Sequence, residues 1–327
     1  MSKKLYCIVI LKMCVILCTK INGKQILAKN RDRLKKPSIE IVHEIVNGIE
    51  VAYIRDKTSG WIEGMNENGL GLVNSTLNKR DDKIKHKRTF KKKGIYKVLT
   101  EKNIGKKIYD IINNSKDGYI LEGHTILFYD DELIHFENNK ENNCVVEKIK
   151  NNQVYSNYGV NLPQEGYIKG NKGMSAFLRC NIIKKELKDN KIDSIEKLSE
   201  IMNTNYKNIN PRFHPYRSKQ YTQKKNIKLD PSNFSVSTTG QLIFNMTDLI
   251  FTYYNDIHNS KGVKYNNKLP KDYTPKIRII IKDTEKKIEK PKTIFTSKYL
   301  KDIQQKYNCE TKKNIHKNLH NKTKKNK

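Results

Sequence analysis

Cys14 and Asp32 are the residues of this chain whose types and spacing best suit chemistry. Between them the sequence reads as two short strands, Cys14–Thr19 and Gln25–Lys29, joined at Asn22-Gly23, a dipeptide suited to the positive φ values of a two-residue hairpin turn. A hairpin holds its outer ends side by side, so the cysteine that follows Met13 and the aspartate just past the second strand are expected in one small region. If Cys14 is the first residue of the working chain, that region contains a thiol, a free α-amine and a carboxylate able to orient the amine. A thiol near ~8.5 needs a base at neutral pH, and an α-amine near ~7.7–8.0 is closer to that task than a lysine near ~10.4. One residue then supplies nucleophile and base, the minimum equipment for cleaving an amide through a covalent acyl intermediate. An internal Cys14 has only an amide nitrogen, so Met13 reads as a removable initiator or as the last residue of a propeptide.

The elements that must position these groups follow from pattern. Ile39–Val46 and Ile49–Arg55 read as a strand pair turning at Asn47-Gly48, and Gly60–Leu77 as strand, turn at Asn68-Gly69, strand. Arg80–Lys93 is a charged loop, and Lys91–Lys102 and Ile104–Asn113 carry apolar residues at helical intervals. Thr125–Tyr129, Leu133–Glu137, Cys144–Ile149 and Gln153–Ser156 read as a meander of four short strands. Met174–Leu187 is a helix, and Ser194 is placed to cap another with Glu196 in its first turn. After a polar loop at Asn208–Ser232, strands return at Phe234–Thr239, Gln241–Asn245, Leu249–Tyr254 and Ile277–Ile281. This order suits an α+β fold of two antiparallel sheets with helices on their outer faces.

Composition sets the limits. At 327 residues and 36% hydrophobic content the chain can bury a substantial core. Its net charge of +31 would ordinarily point to nucleic acid, but the excess is spread along a Lys- and Asn-rich chain without a nucleic-acid motif, so no specific nucleic-acid partner is expected. Six cysteines (Cys7, Cys14, Cys18, Cys144, Cys180, Cys309) show neither CxxC pairs nor metal spacing with histidine, so no metal site or disulfide framework is indicated, and a reducing, cytoplasmic setting is the simpler expectation. The apolar run Leu5–Cys18 is broken by Lys12 and lacks an Ala-x-Ala-like site; secretion is the alternative if residues 1–13 act as a signal, and stable membrane insertion is not expected. The organisation expected is a leader, propeptide or mis-assigned start at 1–13, one catalytic domain at 14–283 and a basic, disordered tail at 284–327.

Several segments together resemble the choloylglycine hydrolase and penicillin V acylase branch of the N-terminal-nucleophile (Ntn) hydrolases. Met13-Cys14 followed by Lys29-Asn30-Arg31-Asp32 resembles the family's Met-Cys start and its Arg-Asn-x-Asp-like sequence, with Lys29 standing where bile-salt hydrolases have an arginine. Gly64-Met65-Asn66-Glu67-Asn68-Gly69-Leu70 matches the family's Gly-Met-Asn-Glu-x-Gly-Leu turn. Tyr155-Ser156-Asn157 stands where a strand ends in Thr-Asn, and Ser175-Ala176-Phe177-Leu178-Arg179 is similar to a Ser-Arg-Phe-x-Arg helix motif. The resemblance implies a four-layer αββα sandwich with Cys14 as nucleophile and Asp32 holding its amine. It further implies Asn157 and a main-chain N–H near Thr76, with Asn74 close by, as oxyanion donors, and Arg179 beside the sulfur favouring thiolate.

The activity this implies is hydrolysis of a linear, non-peptide amide by acyl-enzyme chemistry on a small-molecule acyl amide, with no metal or organic cofactor; homo-oligomerisation is left open. Acyl transfer to another amine on the same fold, or a noncatalytic basic protein that binds anions or nucleic acid, are the alternatives. Cys18 is expected in the core, and Trp61 in the core or a pocket wall.

Overall fold

The structure, a computed structural model, describes residues 14–33, 36–57, 60–77, 90–102, 108, 123–138, 144–162, 170–189, 192–203, 237–257, 260–284, 302 and 305. The expected leader at 1–13, the polar loop at 208–232, most of the loop at 80–93 and of the second helix at 104–113, and the tail past Thr284 apart from residues 302 and 305 lie outside them.

The first half of the chain is built from hairpins. Strands β1 (Val15–Ile21) and β2 (Lys24–Arg33) meet through Asn22 and Gly23, at φ +50° and +81°; β3 (Ile39–Val46) and β4 (Ile49–Asp56) meet through Asn47 and Gly48, at +54° and +72°. Both turns are the doubly left-handed type that Asn-Gly favours, whose twist matches that of paired strands. Strands β5 (Trp61–Asn66) and β6 (Gly71–Ser75), the helix α1 (Phe90–Thr100), then β7 (Gly123–Tyr129), β8 (Glu132–Asn138), β9 (Cys144–Lys148) and β10 (Gln153–Tyr155) follow. Helices α2 (Gly170–Asp189) and α3 (Ile195–Asn203) come next, the latter capped by the Ser194 hydroxyl, which accepts from the Lys197 N–H at 3.2 Å. The chain then forms β11 (Ser237–Asn245), β12 (Ile250–Asp256), β13 (Val263–Asn267) and β14 (Arg278–Thr284).

These strands make two sheets. One has the order β10-β1-β2-β11-β12-β14, the other β13-β3-β4-β5-β6-β7-β8-β9. Between them lies a core that joins Ile16, Leu27 and Phe244 of the first to Ile54, Met65 and Val73 of the second. On the far side of the first sheet Val15, Leu17 and Ala28 pack against Cys180 and Ile183 of α2 and Leu198 of α3; on the far side of the second, Val51 and Leu72 pack against Ile95, Val98 and Leu99 of α1. The layers are therefore helix, sheet, sheet, helix, the αββα sandwich expected. Among the described residues no helix is long and apolar enough to cross a membrane.

Three expectations change. The sheets are not wholly antiparallel, because β14 pairs with β12 and β13 with β3 in parallel. Both late strands reach their edges by crossing between sheets, so neither arrives through a hairpin. Strand β13, half exposed and polar, carries no alternation from which a strand could be read. Of the two strands expected at 234–239 and 241–245, residues 234–236 lie outside the described ones and the rest form one strand, β11, whose pairing with β2 shifts between Thr238 and Gly240. Finally, β2 runs on through Arg33, so Asp32 lies inside the strand and not past its end.

Candidate active site

Strand alternation decides which groups can meet. Ile16 and Cys18 of β1 face the core between the sheets, and Val15 and Leu17 face the helices, so the Cys14 side chain belongs with the inter-sheet set. In β2 the same period places Leu27, Lys29, Arg31 and Arg33 between the sheets, with Ala28, Asn30 and Asp32 toward α2 and α3.

The inter-sheet side carries a buried charge cluster. Arg33 donates through Nη1 to the Cys14 sulfur at 3.3 Å and through Nε to Asp56 at 3.0 Å. Arg31 pairs with Glu63 and lies 3.7 Å from Asp56, while Lys29 donates to Glu63 and to the Asn74 carbonyl. Trp61 completes the wall: its indole N–H donates to Glu63 at 3.1 Å, and the Lys29 ammonium lies 5.6 Å from its ring centre. These side chains are at most 5% exposed.

Burial pushes the Cys14 thiol up, but Lys29 and Arg33 outweigh it and hold it below the ordinary thiol value. Burial likewise pushes Glu63 up, and Lys29 and Arg31 keep it below the usual carboxylate range. Among the groups joined by these contacts there are three cations, Lys29, Arg31 and Arg33, and two carboxylates, Asp56 and Glu63. Burial pushes Lys29 itself below its ordinary value, and Lys29 and Arg33 together favour the ionised form of the Cys14 sulfur. Cys18, which has no such neighbours, is pushed up to about 12 by burial and is an ordinary core cysteine.

Toward the helices Asp32 is held at both oxygens, one accepting from Arg179 Nη1 at 2.9 Å and the other from the Thr238 hydroxyl at 2.8 Å. Arg179 Nη2 also donates to the Ser156 hydroxyl at 3.1 Å, and Ser156 donates to the Cys14 carbonyl at 2.8 Å. The Ser75 hydroxyl reaches the same carbonyl at 3.3 Å. Asn157 Nδ2 donates to the Thr76 carbonyl at 2.6 Å and to Ser75 Oγ at 3.2 Å. The Cys14 carbonyl is thus where the lines from Asp32, Arg179, Asn157 and Thr76 converge.

All five residues picked from the sequence therefore lie in one hydrogen-bonded network. Their contacts differ in detail from expectation. The guanidinium against the sulfur is that of Arg33, while Arg179 is engaged with Asp32 and Ser156. Both hydrogens of Asn157 Nδ2 are used within the chain, one on the Thr76 carbonyl and the longer one on Ser75. Asn74 supplies a carbonyl to Lys29 and a side-chain bond to Thr125. Asn66 does turn chemistry, its Oδ1 accepting from the N–H groups of Asn68 and Leu70, and ties the turn to the Leu99 carbonyl.

Sequence reasoning missed Arg33, Arg31, Asp56, Glu63 and the two serines. A signal for the arginines existed: Lys29, Arg31 and Arg33 recur with period two, one charged stripe on one face of a strand. Asp56 and Glu63 carry no local signal, because their partners come from the other sheet.

Crystal structures of two variants of conjugated bile acid hydrolase from Clostridium perfringens are similar to this chain. A cysteine-to-alanine mutant matches at 16% identity and a TM-score of 0.43, over 80% of this chain and 100% of that one. An arginine-to-leucine variant matches at 15% identity and 0.41, over 74% and 89%. No protein-family model and no curated protein matches the sequence.

Proposed function

We propose that the chain is a cysteine amidohydrolase of the N-terminal-nucleophile type, acting on a small-molecule linear amide once the Met13–Cys14 bond has been broken. The observation that carries this reading is the Cys14 sulfur 3.3 Å from the Arg33 guanidinium, with Lys29 and Arg33 holding the thiol below its ordinary value.

The Cys14 thiol passes its proton to the α-amine, and the thiolate so formed, favoured by Lys29 and Arg33, adds to the amide carbonyl. Asn157 and a main-chain N–H near Thr76 receive the oxyanion, for which a donor of this kind contributes roughly 3–4 kcal/mol in comparable sites. The C–N bond breaks as the ammonium returns its proton to the leaving amine, and a thioester remains. Water adds to the thioester with the same amine as base, releasing the acid and the thiol. Asp32 orients the α-amine, and Arg179 and Thr238 fix Asp32.

The test is mass spectrometry of purified, active protein together with Cys14→Ala and Cys14→Ser assayed on a panel of acyl amides. The reading requires a chain that starts at Cys14, a trapped acyl adduct on that residue, and no turnover by either variant. Turnover by a chain whose leader remains attached would overturn it.

A further inference from the structure

We propose that His124, His135 and Glu137 form a buried binding site for a divalent transition-metal ion of the zinc class, which fastens the segment after Asn157 to the second sheet. This goes beyond the amidase reading and does not depend on it.

The argument is a count of ring hydrogens. His124 Nε2 lies 2.7 Å from the Tyr158 carbonyl, which can only accept, so Nε2 carries the hydrogen. His135 Nδ1 lies 2.8 Å from Glu147 Oε1, a carboxylate oxygen that also accepts from Asn161 Nδ2 at 3.0 Å, so Nδ1 carries the hydrogen there. In neutral rings the two remaining nitrogens, His124 Nδ1 and His135 Nε2, are then both bare lone pairs. They face each other at 2.9 Å. Two lone pairs at that distance repel unless a cation lies between them, and the candidates are a proton or a metal ion.

The surroundings favour the metal. Both rings are fully buried, and Tyr155 stacks on His135 with ring centres 3.9 Å apart. With their outer hydrogens engaged by the Tyr158 carbonyl and Glu147, both rings present one neutral lone pair each to the gap between them. An outer N–H donated to a carbonyl or a carboxylate is also the arrangement that aims a metal-binding histidine. Glu137 supplies the third ligand. It sits directly across from His124 in the β7–β8 pairing, two residues from His135, and the ligand atoms of all three lie within 4.8 Å of one another. Its carboxylate accepts the N–H groups of Val160, Asn161 and Leu162, which occupy three of about four lone-pair sites and leave one. Tetrahedral zinc at ~2.0–2.1 Å from its ligands sets donors about 3.3 Å apart, so the histidine nitrogens open slightly and the carboxylate closes in. Two imidazoles and one carboxylate are a donor set zinc accepts.

Such an ion would hold 158–162 through the Tyr158 carbonyl and the three N–H groups on Glu137. His124 is also the cross-strand partner of Ser75, which contacts the Cys14 carbonyl. The ion would therefore brace the network around Cys14 through β6.

The full-length protein is stripped with a chelator and titrated with Zn²⁺ by calorimetry and with Co²⁺ by visible absorption. The expected result is one ion per chain, tetrahedral Co²⁺ bands and a raised Tm. His135→Phe should abolish uptake. Glu147→Gln, at a partly exposed position that keeps an acceptor, should remain folded and bind about 10–100-fold more weakly, the usual cost of losing a supporting partner. Absence of stoichiometric uptake by folded wild type, uptake unchanged in both variants, or ¹⁵N NMR showing either ring doubly protonated at neutral pH would each overturn the proposal.

Discussion

On its inner face β2 presents Lys29, Arg31 and Arg33 to Asp56, Glu63 and the Cys14 sulfur; on its outer face it presents Asn30 and Asp32 to the helices. There Asp32 is matched by Arg179, and Asn30 bonds the Met202 carbonyl and Gln241. Both faces are buried and polar, yet their charges close differently. The outer face is balanced within itself and works as a positioning frame. The inner face sets three basic side chains against two carboxylates and the sulfur, and so governs the charge state of that sulfur. Loss of a cation on the inner face should therefore raise the Cys14 alkylation midpoint, whereas loss of the Asp32 charge on the outer face should lower it and act chiefly on stability.

The largest effect belongs to the residue the two faces share. Cys14→Ala should reduce amide hydrolysis to background, and its unfolding free energy should lose one pH dependence. A thiol held below its ordinary value contributes stability that is fully present above the unfolded pKa, near ~8.5, and is lost as pH falls through the folded one. Wild type should thus gain stability as pH rises across that window, and the variant should not, which denaturant titrations at several pH values would show.

Next comes Asp32→Asn, which leaves Arg179 buried without its carboxylate and should cost about 3–5 kcal/mol by urea denaturation. Since the Asp32 charge raises the Cys14 thiol, the variant's alkylation midpoint should also shift down. Arg33→Met should do the opposite, moving the midpoint up and slowing alkylation at neutral pH. Equal shifts of one sign in both variants would erase the distinction between the faces. The smallest effect expected is that of Thr238→Val, about 1.5–3 kcal/mol for a hydrogen bond to a charged group, with the alkylation profile retained.

Local chemistry explains what could be read from the sequence. Asn22-Gly23 and Asn47-Gly48 announced their hairpins and Ser194 its cap, while Asn157 and Arg179, picked out by motif resemblance, share one hydrogen-bonded network with Cys14 and Asp32. What escaped was set by long-range pairing. Glu63 lies on β5 and reaches Lys29 and Arg31 only because the sheets stack, and His124 meets His135 through the pairing of β7 with β8. Strand β13 escaped because an exposed polar edge strand is held by its partner and not by its own pattern.

The bond between Thr238 and Asp32 spans 206 residues. During synthesis the hairpin bearing Cys14 emerges early, but β2 waits for β11 to cover its second edge, and the carboxylate that would steady the new amine lacks its threonine until then. Any self-cleavage that depends on this geometry is thereby timed to after β11 has been made, so a chain cut short before Thr238 would carry a silent cysteine.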